Sequence, residues 1–127
     1  MKYELPILLK QEKGVIVNTS SLTVYFPDPS APTYAASKAG IVGSTKSSAL
    51  RYANTGVRIN AVCPHCVDTE MFAKAPQEVR QIALGAIPMG RFGQPEEVAS
   101  AILWLCSDSA SFTTGTCMML NGGAIAI

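Results

Sequence analysis

Short apolar runs alternate with longer segments of helical spacing along this chain. Two of these runs are rich in β-branched residues, and all are bounded by glycine or polar residues, as is typical of buried strands. We predict strands at Gly14–Thr19, Val57–Val62 and Thr116–Leu120. The other segments predict helices at Tyr3–Lys10, Thr33–Asn54 and Pro95–Ser107, and one or two short helices within Asp68–Leu84. Strands that alternate with helices predict an α/β fold with a parallel sheet and right-handed crossovers.

Composition narrows the class of protein. The 127 residues form one domain, 1–127, in which 48% of residues are hydrophobic and 15% are charged. This balance favours a packed core over disorder. A net charge of +1 provides no basic surface for nucleic acid or an anionic membrane. No apolar run reaches the ~18 residues of a membrane helix. Residues 1–13 do not resemble a signal peptide, because charged residues interrupt their apolar stretch. We therefore expect a cytoplasmic protein.

The most informative polar residues are Tyr34 and Lys38, with Ser21 thirteen positions before the tyrosine. A phenol and an ammonium four residues apart share one face of a helix. An ordinary tyrosine keeps its proton up to about pH 10, but a neighbouring cation favours the phenolate. Such a tyrosine can exchange a proton with an alcohol or ketone oxygen, and a serine hydroxyl can polarise the same oxygen. Taken alone, the pair is also what an ordinary helix with a solvated lysine presents.

Five blocks of sequence place this pair in a wider context. They are a strand ending in serine (14–21), the Tyr-x-x-x-Lys helix (34–40), a strand leading into a proline loop (56–64), a Gly-Arg block (90–99) and an Asn-Gly-Gly block (121–123). In this order they resemble the carboxyl-terminal half of the short-chain dehydrogenase/reductase family, along nearly all of the chain. The resemblance implies a partial Rossmann-like doubly wound parallel sheet of three sequential strands, with helices on both faces and the amino-terminal half of the fold absent.

The resemblance also implies a role for each matching residue. Tyr34 would be the general acid and base, Lys38 would assist it, and Ser21 would hold the substrate oxygen. Tyr34 and Lys38 would also contact the cofactor, Lys38 through the nicotinamide ribose. Three further residues are expected to line the nicotinamide end of NAD or NADP: Pro64, Val67 and Thr69. The implied reaction is hydride transfer between a secondary alcohol and a ketone, with no metal.

Two segments acquire roles from the same resemblance. Residues 71–88 are largely apolar and would form a lid over a small-molecule alcohol or ketone. The helix at 33–54 carries small residues on most sides, which allows close approach by a neighbouring element. We expect one of its faces to pack against a second copy and form a homo-oligomer, although a helix packed only within its own domain would have the same composition.

The chain departs from the family pattern in several places. It contains no Gly-rich turn for a dinucleotide pyrophosphate, so we expect a fragment that is inactive alone and associates through an exposed apolar edge at Gly14–Thr19. His65 stands where the family has a glycine, in a loop that should approach the nicotinamide. Val24 replaces another common glycine, and Asn121 replaces a common aspartate.

The cysteines leave a different chemistry open. All four fit the reduced thiols of a cytosolic enzyme, but Cys63-Pro64-His65-Cys66 also resembles the motif of thiol–disulfide oxidoreductases. Such motifs act from a helix N-terminus, whereas residues 67–69 predict a loop. One histidine with two clustered cysteines does not complete a zinc site. Two alternatives to an oxidoreductase remain: a non-catalytic remnant that serves as an oligomerisation partner, and a thiol redox protein acting through Cys63 and Cys66.

Overall fold

A computed structural model describes residues 1–126, and its elements alternate as the sequence predicts. In chain order they are α1 Glu4–Lys10, β1 Gly14–Thr19, α2 Pro32–Tyr52, β2 Val57–Pro64, α3 Glu70–Ala73, α4 Gln77–Gly85, α5 Pro95–Cys106 and β3 Cys117–Leu120. The hydrophobic pattern does not indicate the two short 3₁₀ turns, Leu22–Val24 and Asp108–Ala110. Among residues 1–126, no helix has the length and apolar character needed to cross a membrane.

The three strands form one parallel sheet in the order β1-β2-β3, as predicted. β1 pairs with β2 from Gly14 opposite Val57 to Thr19 opposite Val62. β2 pairs with β3 from Ala61 opposite Cys117 to Pro64 opposite Leu120. The carboxyl ends of the strands therefore lie at one edge of the sheet, which is where open α/β sheets hold their ligands.

Helices cover both faces of this partial Rossmann-like sheet because successive side chains of a strand point to opposite sides. Val57 and Ile59 of β2 pack with Ala49 of α2 in a buried cluster that α1 also contacts. The residues that alternate with them reach the other side, where the Arg58 guanidinium bonds the carbonyl oxygen of Leu105 in α5 at 2.8 Å. The alternation along β2 thus places α2 on one face and α5 on the other.

Among the helices and strands of residues 1–126, β2 is the most deeply buried. Its polar residue Asn60 has no exposed surface and is bonded at both ends of its amide. The Asn60 Nδ2 donates to the Thr113 carbonyl at 2.9 Å, and its Oδ1 accepts from the Thr116 backbone N–H at 3.1 Å. These bonds fix the segment that leads into β3.

Six of the eight residues of β2 are buried, and the other two, Arg58 and Pro64, are partly exposed. The Arg58 guanidinium also bonds the carbonyl oxygen of Ser107 at 3.0 Å, just beyond the end of α5. A partly buried cation loses some of its hydration, which hydrogen bonds must replace, and here the acceptors are main-chain carbonyls. Arg58 therefore ties the end of α5 to the middle strand.

The observed bounds differ from the predicted ones by a few residues, for local reasons. α2 begins one residue early because Pro32 occupies its first turn, where no intrahelical N–H is needed. Pro6 is accommodated in the first turn of α1 for the same reason. α2 ends two residues early, at Tyr52, and the chain turns into β2 through Gly56, whose φ of 77° suits glycine.

Candidate active site

The end of β1 is bonded directly to the Tyr34–Lys38 turn of α2. The Ser20 hydroxyl donates to the Lys38 carbonyl oxygen at 2.9 Å, and the Lys38 ammonium donates to the Thr19 carbonyl oxygen at 3.2 Å. Ser20 is buried, so its bond to Lys38 is partly shielded from solvent, whereas the bond from the Lys38 ammonium is exposed. The two bonds fix Lys38 next to the strand end that leads into Ser21.

Ser21 lies one residue beyond this contact and has an extended backbone. Its hydroxyl oxygen accepts a hydrogen bond from the Thr23 backbone N–H at 3.2 Å and so caps the 3₁₀ turn at Leu22–Val24. A hydroxyl that accepts in this way still has its own proton to donate. The turn packs against α2, which keeps the Ser21 segment beside the helix that carries Tyr34.

Tyr34 lies in the first turn of α2 with 47% of its surface exposed. The Lys38 ammonium lies one helical turn later, 5.6 Å from the centre of the Tyr34 ring. Within residues 1–126, no hydrogen bond joins the Tyr34 and Ser21 hydroxyls. Tyr34 and Lys38 are thus brought together as the spacing predicts, and the phenol can be reached from solvent.

The three residues expected at the cofactor lie on one loop, residues 64–69, at the same edge of the sheet. Pro64 ends β2, and the next backbone N–H donates to the Leu120 carbonyl at 3.0 Å. Val67 forms a parallel bridge with Gly93. Thr69 caps α3, since its hydroxyl oxygen accepts from the Phe72 backbone N–H at 3.2 Å. Because Thr19 pairs with Val62, the Ser21 segment and this loop leave adjacent strands at neighbouring positions.

A charge pair that the sequence pattern does not indicate fixes the segment beside this loop. Arg91 binds Glu97 through two hydrogen bonds of 2.8 and 2.7 Å. Hydrogen bonds from Arg91, and then from the Gln94 backbone N–H, lower the pKa of Glu97 to about 2. Gln94 and Glu97 also form a capping box at the start of α5. The Gln-x-x-Glu spacing after Gly93 is a sequence signal of the capping box but not of the pair with Arg91.

Comparison with known proteins agrees with this arrangement. A family model described as enoyl-(acyl carrier protein) reductase matches residues 1–124. The chain is 46% identical over 120 residues to a 3-oxoacyl-[acyl-carrier-protein] reductase of Thermotoga maritima, covering 94% of this chain and 49% of that protein. It is 45% identical over 125 residues to a meso-2,3-butanediol dehydrogenase of Serratia marcescens, covering 98% and 49%.

The chain belongs to the short-chain dehydrogenase/reductase family. The crystal structure of a 3-oxoacyl-[acyl-carrier protein] reductase from Brucella melitensis superposes with a TM-score of 0.91 at 38% identity, over 96% of this chain and 46% of that one. The fold is therefore that of a short-chain dehydrogenase/reductase over the matched part. The chain spans about half the length of the curated relatives it matches.

His65 takes the place of a glycine common in this family without backbone strain. Among residues 1–126, Glu12 alone combines a side chain with a positive φ, so the backbone at position 65 does not require glycine. The imidazole lines a cavity of about 150 Å³ together with Ile87, Val98 and Leu120. Its Nε2 is buried without a hydrogen-bond partner, and burial lowers the pKa of His65.

Asn121, which replaces a common aspartate of the family, has a local structural role. Its Nδ2 donates to the Ile125 carbonyl at 2.7 Å, and its Oδ1 accepts from the Gly123 backbone N–H at 3.1 Å. An ionised aspartate could make the second bond but not the first, because it has no proton to donate. Val24, the other departure, ends the 3₁₀ turn that Ser21 caps and is partly buried.

Cys63 and Cys66 lack the properties of a thiol redox site. All four are free, and Cys63 is fully buried within β2. Burial raises the pKa of both Cys63 and Cys66, whereas reactive thiols need a lowered pKa and access to solvent. Residues 1–126 contain no group of three or more His, Cys, Asp or Glu side chains that could hold a metal. The geometry therefore argues against the thiol redox alternative.

Proposed function

We propose that this chain is the catalytic half of an NAD(P)-dependent oxidoreductase that moves a hydride between a secondary alcohol and a ketone. The observation that carries the proposal is the contact between the end of β1 and α2, in which Ser20 and Thr19 bind the main chain and the ammonium of Lys38. Because Ser21 directly follows Ser20, this contact supports a position for Ser21 beside the helical turn that bears Tyr34. Family membership supports the same chemistry, since the relatives named above are oxidoreductases.

In this proposal the three side chains divide the work at the substrate oxygen. Tyr34 gives a proton to the ketone oxygen during reduction, or takes one from the alcohol during oxidation. The Lys38 ammonium, 5.6 Å from the centre of the Tyr34 ring, places a positive charge beside the phenol that exchanges this proton. Ser21 donates a hydrogen bond from its hydroxyl to the same oxygen and so orients the substrate.

The 64–69 loop is suited to the nicotinamide end of the cofactor. Its backbone is held by β3 and by Gly93, and the Thr69 hydroxyl keeps its proton while accepting from Phe72. Pro64 would present an apolar surface to a flat ring, Val67 would contribute its backbone, and Thr69 would offer a donor to the carboxamide. The nicotinamide supplies the hydride acceptor or donor. This end is shared by NAD and NADP, so the same residues serve either.

We further propose that 1–127 is one partial domain and that turnover needs structure from outside it. No Gly-rich turn for the pyrophosphate is present in these residues, although such a turn normally provides the helix N-terminus that binds it. β1 is correspondingly an edge of the sheet, and its apolar residues Val15, Ile16 and Val17 are only partly buried. A neighbouring strand on this edge would cover them.

The substrate is a small-molecule alcohol or ketone in this proposal. A further relative, 46% identical over 112 residues, is the 3β-hydroxysteroid dehydrogenase 1 of Eggerthella lenta. By their names, the relatives act on 3-oxoacyl groups, on a 3β-hydroxysteroid and on meso-2,3-butanediol, which share the reacting group and little else. The helices α3 and α4, within the segment 71–88 expected to form the lid, expose Met71 and Ile82. These apolar side chains suit the hydrocarbon part of such a substrate.

We also propose that α2 pairs with a second copy of the chain. Its solvent face carries a stripe of small residues that ends at Leu50, which is 82% exposed. A Cβ added at Gly40 or Gly43 would meet nothing within 4 Å, so nothing in residues 1–126 requires glycine there. Sedimentation velocity tests this: we expect a dimer or larger species, and a monomer at micromolar concentration would contradict it. The non-catalytic alternative would use the same face to bind a full-length relative.

The catalytic proposal is tested in a chimera that joins residues 1–124 to the amino-terminal half of the similar 3-oxoacyl-[acyl-carrier-protein] reductase. We expect NAD(P)H-dependent ketone reduction that falls about 10²- to 10⁴-fold on Tyr34→Phe, because the proton donor is lost. Tyr3→Phe is a matched control, since Tyr3 is also exposed and has the Lys2 ammonium 5.5 Å from its ring. Equal rates in the two variants would refute the role of Tyr34, and the 127-residue chain alone should show no turnover.

A further inference from the structure

The lid helices α3 and α4 are held to the rest of the fold by few contacts. Neither helix contains a buried residue. Neither packs closely against another helix or strand of residues 1–126. Two such short helices would not stay over a site through their own helical stability, because isolated helices of this length are marginal in water. A specific contact must therefore position them.

Arg80 of α4 provides this contact on its polar side. Its guanidinium donates to the Ala73 carbonyl oxygen at 3.3 Å, which joins α4 to the end of α3. The same group lies 3.7 Å from the Asp68 carboxylate on the 64–69 loop. The Arg80 side chain is 31% exposed, so the guanidinium is partly shielded from water. One cation thus joins both lid helices to the loop expected to bind the nicotinamide.

Two aromatic rings complete the contact on the apolar side. Phe72 of α3 and Phe92, next to Gly93, meet edge to face with ring centres 5.1 Å apart. The Arg80 guanidinium lies 5.8 Å from the centre of the Phe72 ring and 5.6 Å from that of Phe92. A planar guanidinium stacks on rings and forms directed hydrogen bonds at once, which a lysine ammonium does less well.

We propose that Arg80 is a positioning residue that holds the lid helices against the 64–69 loop. An exposed ion pair at this distance contributes little alone, but here the ion pair, the main-chain bond and the two rings converge on one guanidinium. Asp68 lies between Val67 and Thr69, so the contact also links the lid to the residues that would bind the nicotinamide. The description of this segment as a lid rests on the proposed function, whereas the contacts do not.

Hydrogen exchange followed by mass spectrometry tests the proposal on the 127-residue chain without cofactor. In Arg80→Gln we expect amides of residues 70–85 to exchange roughly three- to tenfold faster, because loss of the cation lets the lid open more often. Arg80→Lys should restore part of the protection, since it keeps the charge opposite Asp68. Lys74→Gln is the matched control: it removes a lid cation for which residues 1–126 show no side-chain partner. Exchange at 57–64 should not change in any variant.

Two results would overturn the proposal: unchanged exchange at 70–85 in Arg80→Gln, or equal acceleration at 57–64, which would indicate general destabilisation. Asp68→Asn provides a second route should Arg80→Gln fold poorly. It should give part of the same acceleration, and adding it to Arg80→Lys should give less than the sum of the two effects. Since neither cofactor nor turnover enters this measurement, an inactive chimera would count against the proposed function and leave this inference standing.

Discussion

The middle strand β2 and the helices α3 and α4 are attached to the rest of the fold in opposite ways. In β2 most side chains are buried, and the polar ones are bonded to main-chain groups of α5 and the segment before β3. In α3 and α4 no residue is buried, and attachment depends on the Arg80 contacts. The residues proposed for hydride transfer lie around the rigid strands, whereas those proposed for substrate contact lie on the exposed helices.

This difference explains how one fold can serve many substrates. Proton and hydride transfer need groups held in fixed positions, and buried hydrogen-bonded strands supply that precision. Exposed helices with few contacts tolerate substitution and can move over a ligand. The relatives named above are all oxidoreductases by name, while their names differ in substrate.

The strongest test of the comparison is Asn60→Ala in the middle strand. We expect the free energy of unfolding to fall by about 2–4 kcal/mol, because the Thr113 carbonyl and the Thr116 N–H lose their partner and a cavity forms. Urea denaturation at neutral pH measures this change. A loss below about 1 kcal/mol would mean that β2 is less tightly coupled to β3 than its hydrogen bonds indicate.

An intermediate effect is expected from pH at His65, the single histidine of the chain. Burial lowers the pKa of His65 in the folded state, so the unfolded chain binds this proton first as the pH falls below 6.5. Stability from this group is therefore full above pH 6.5 and declines below it, by at most about 1.4 kcal/mol per pH unit.

Denaturation of the wild type and of His65→Gln between pH 7.5 and 5 isolates this contribution, since glutamine does not titrate. The unfolding free energy should decline less steeply with falling pH in the variant than in the wild type. If the unfolding free energy of both proteins depended on pH with the same slope, the imidazole would be solvated in the folded chain, and His65 would not belong to the buried region around β2.

The smallest effect is expected from Ile82→Ser on α4. Ile82 is 70% exposed, so the free energy of unfolding should change by no more than about 0.5 kcal/mol. The same denaturation measurement applies, with Asn60→Ala as the reference. A loss of more than about 1 kcal/mol would indicate that the lid is buried against another surface in solution, and the contrast with β2 would fail.

Much of the fold could be predicted from local patterns. The strands and the long helix follow from β-branched runs, from proline and glycine at helix ends, and from the alternation of short apolar runs with segments of helical spacing. The Tyr34–Lys38 proximity follows from helical spacing alone. The Arg80 contacts and the Arg91–Glu97 pair could not be predicted in this way, because their partners come from separate segments whose approach depends on how loops fold.

The amino-acid sequence alone thus determined which helices and strands form and which polar residues follow the strands, because backbone preferences and side-chain periodicity act over a few residues. Only the tertiary structure decided where His65 lies, why Asn121 needs an amide, and that Arg80 joins the lid to its loop. Those outcomes depend on burial, on the conformation of the turn after Asn121 and on groups that loop folding brings next to Arg80, and hydrophobic periodicity contains no information about these.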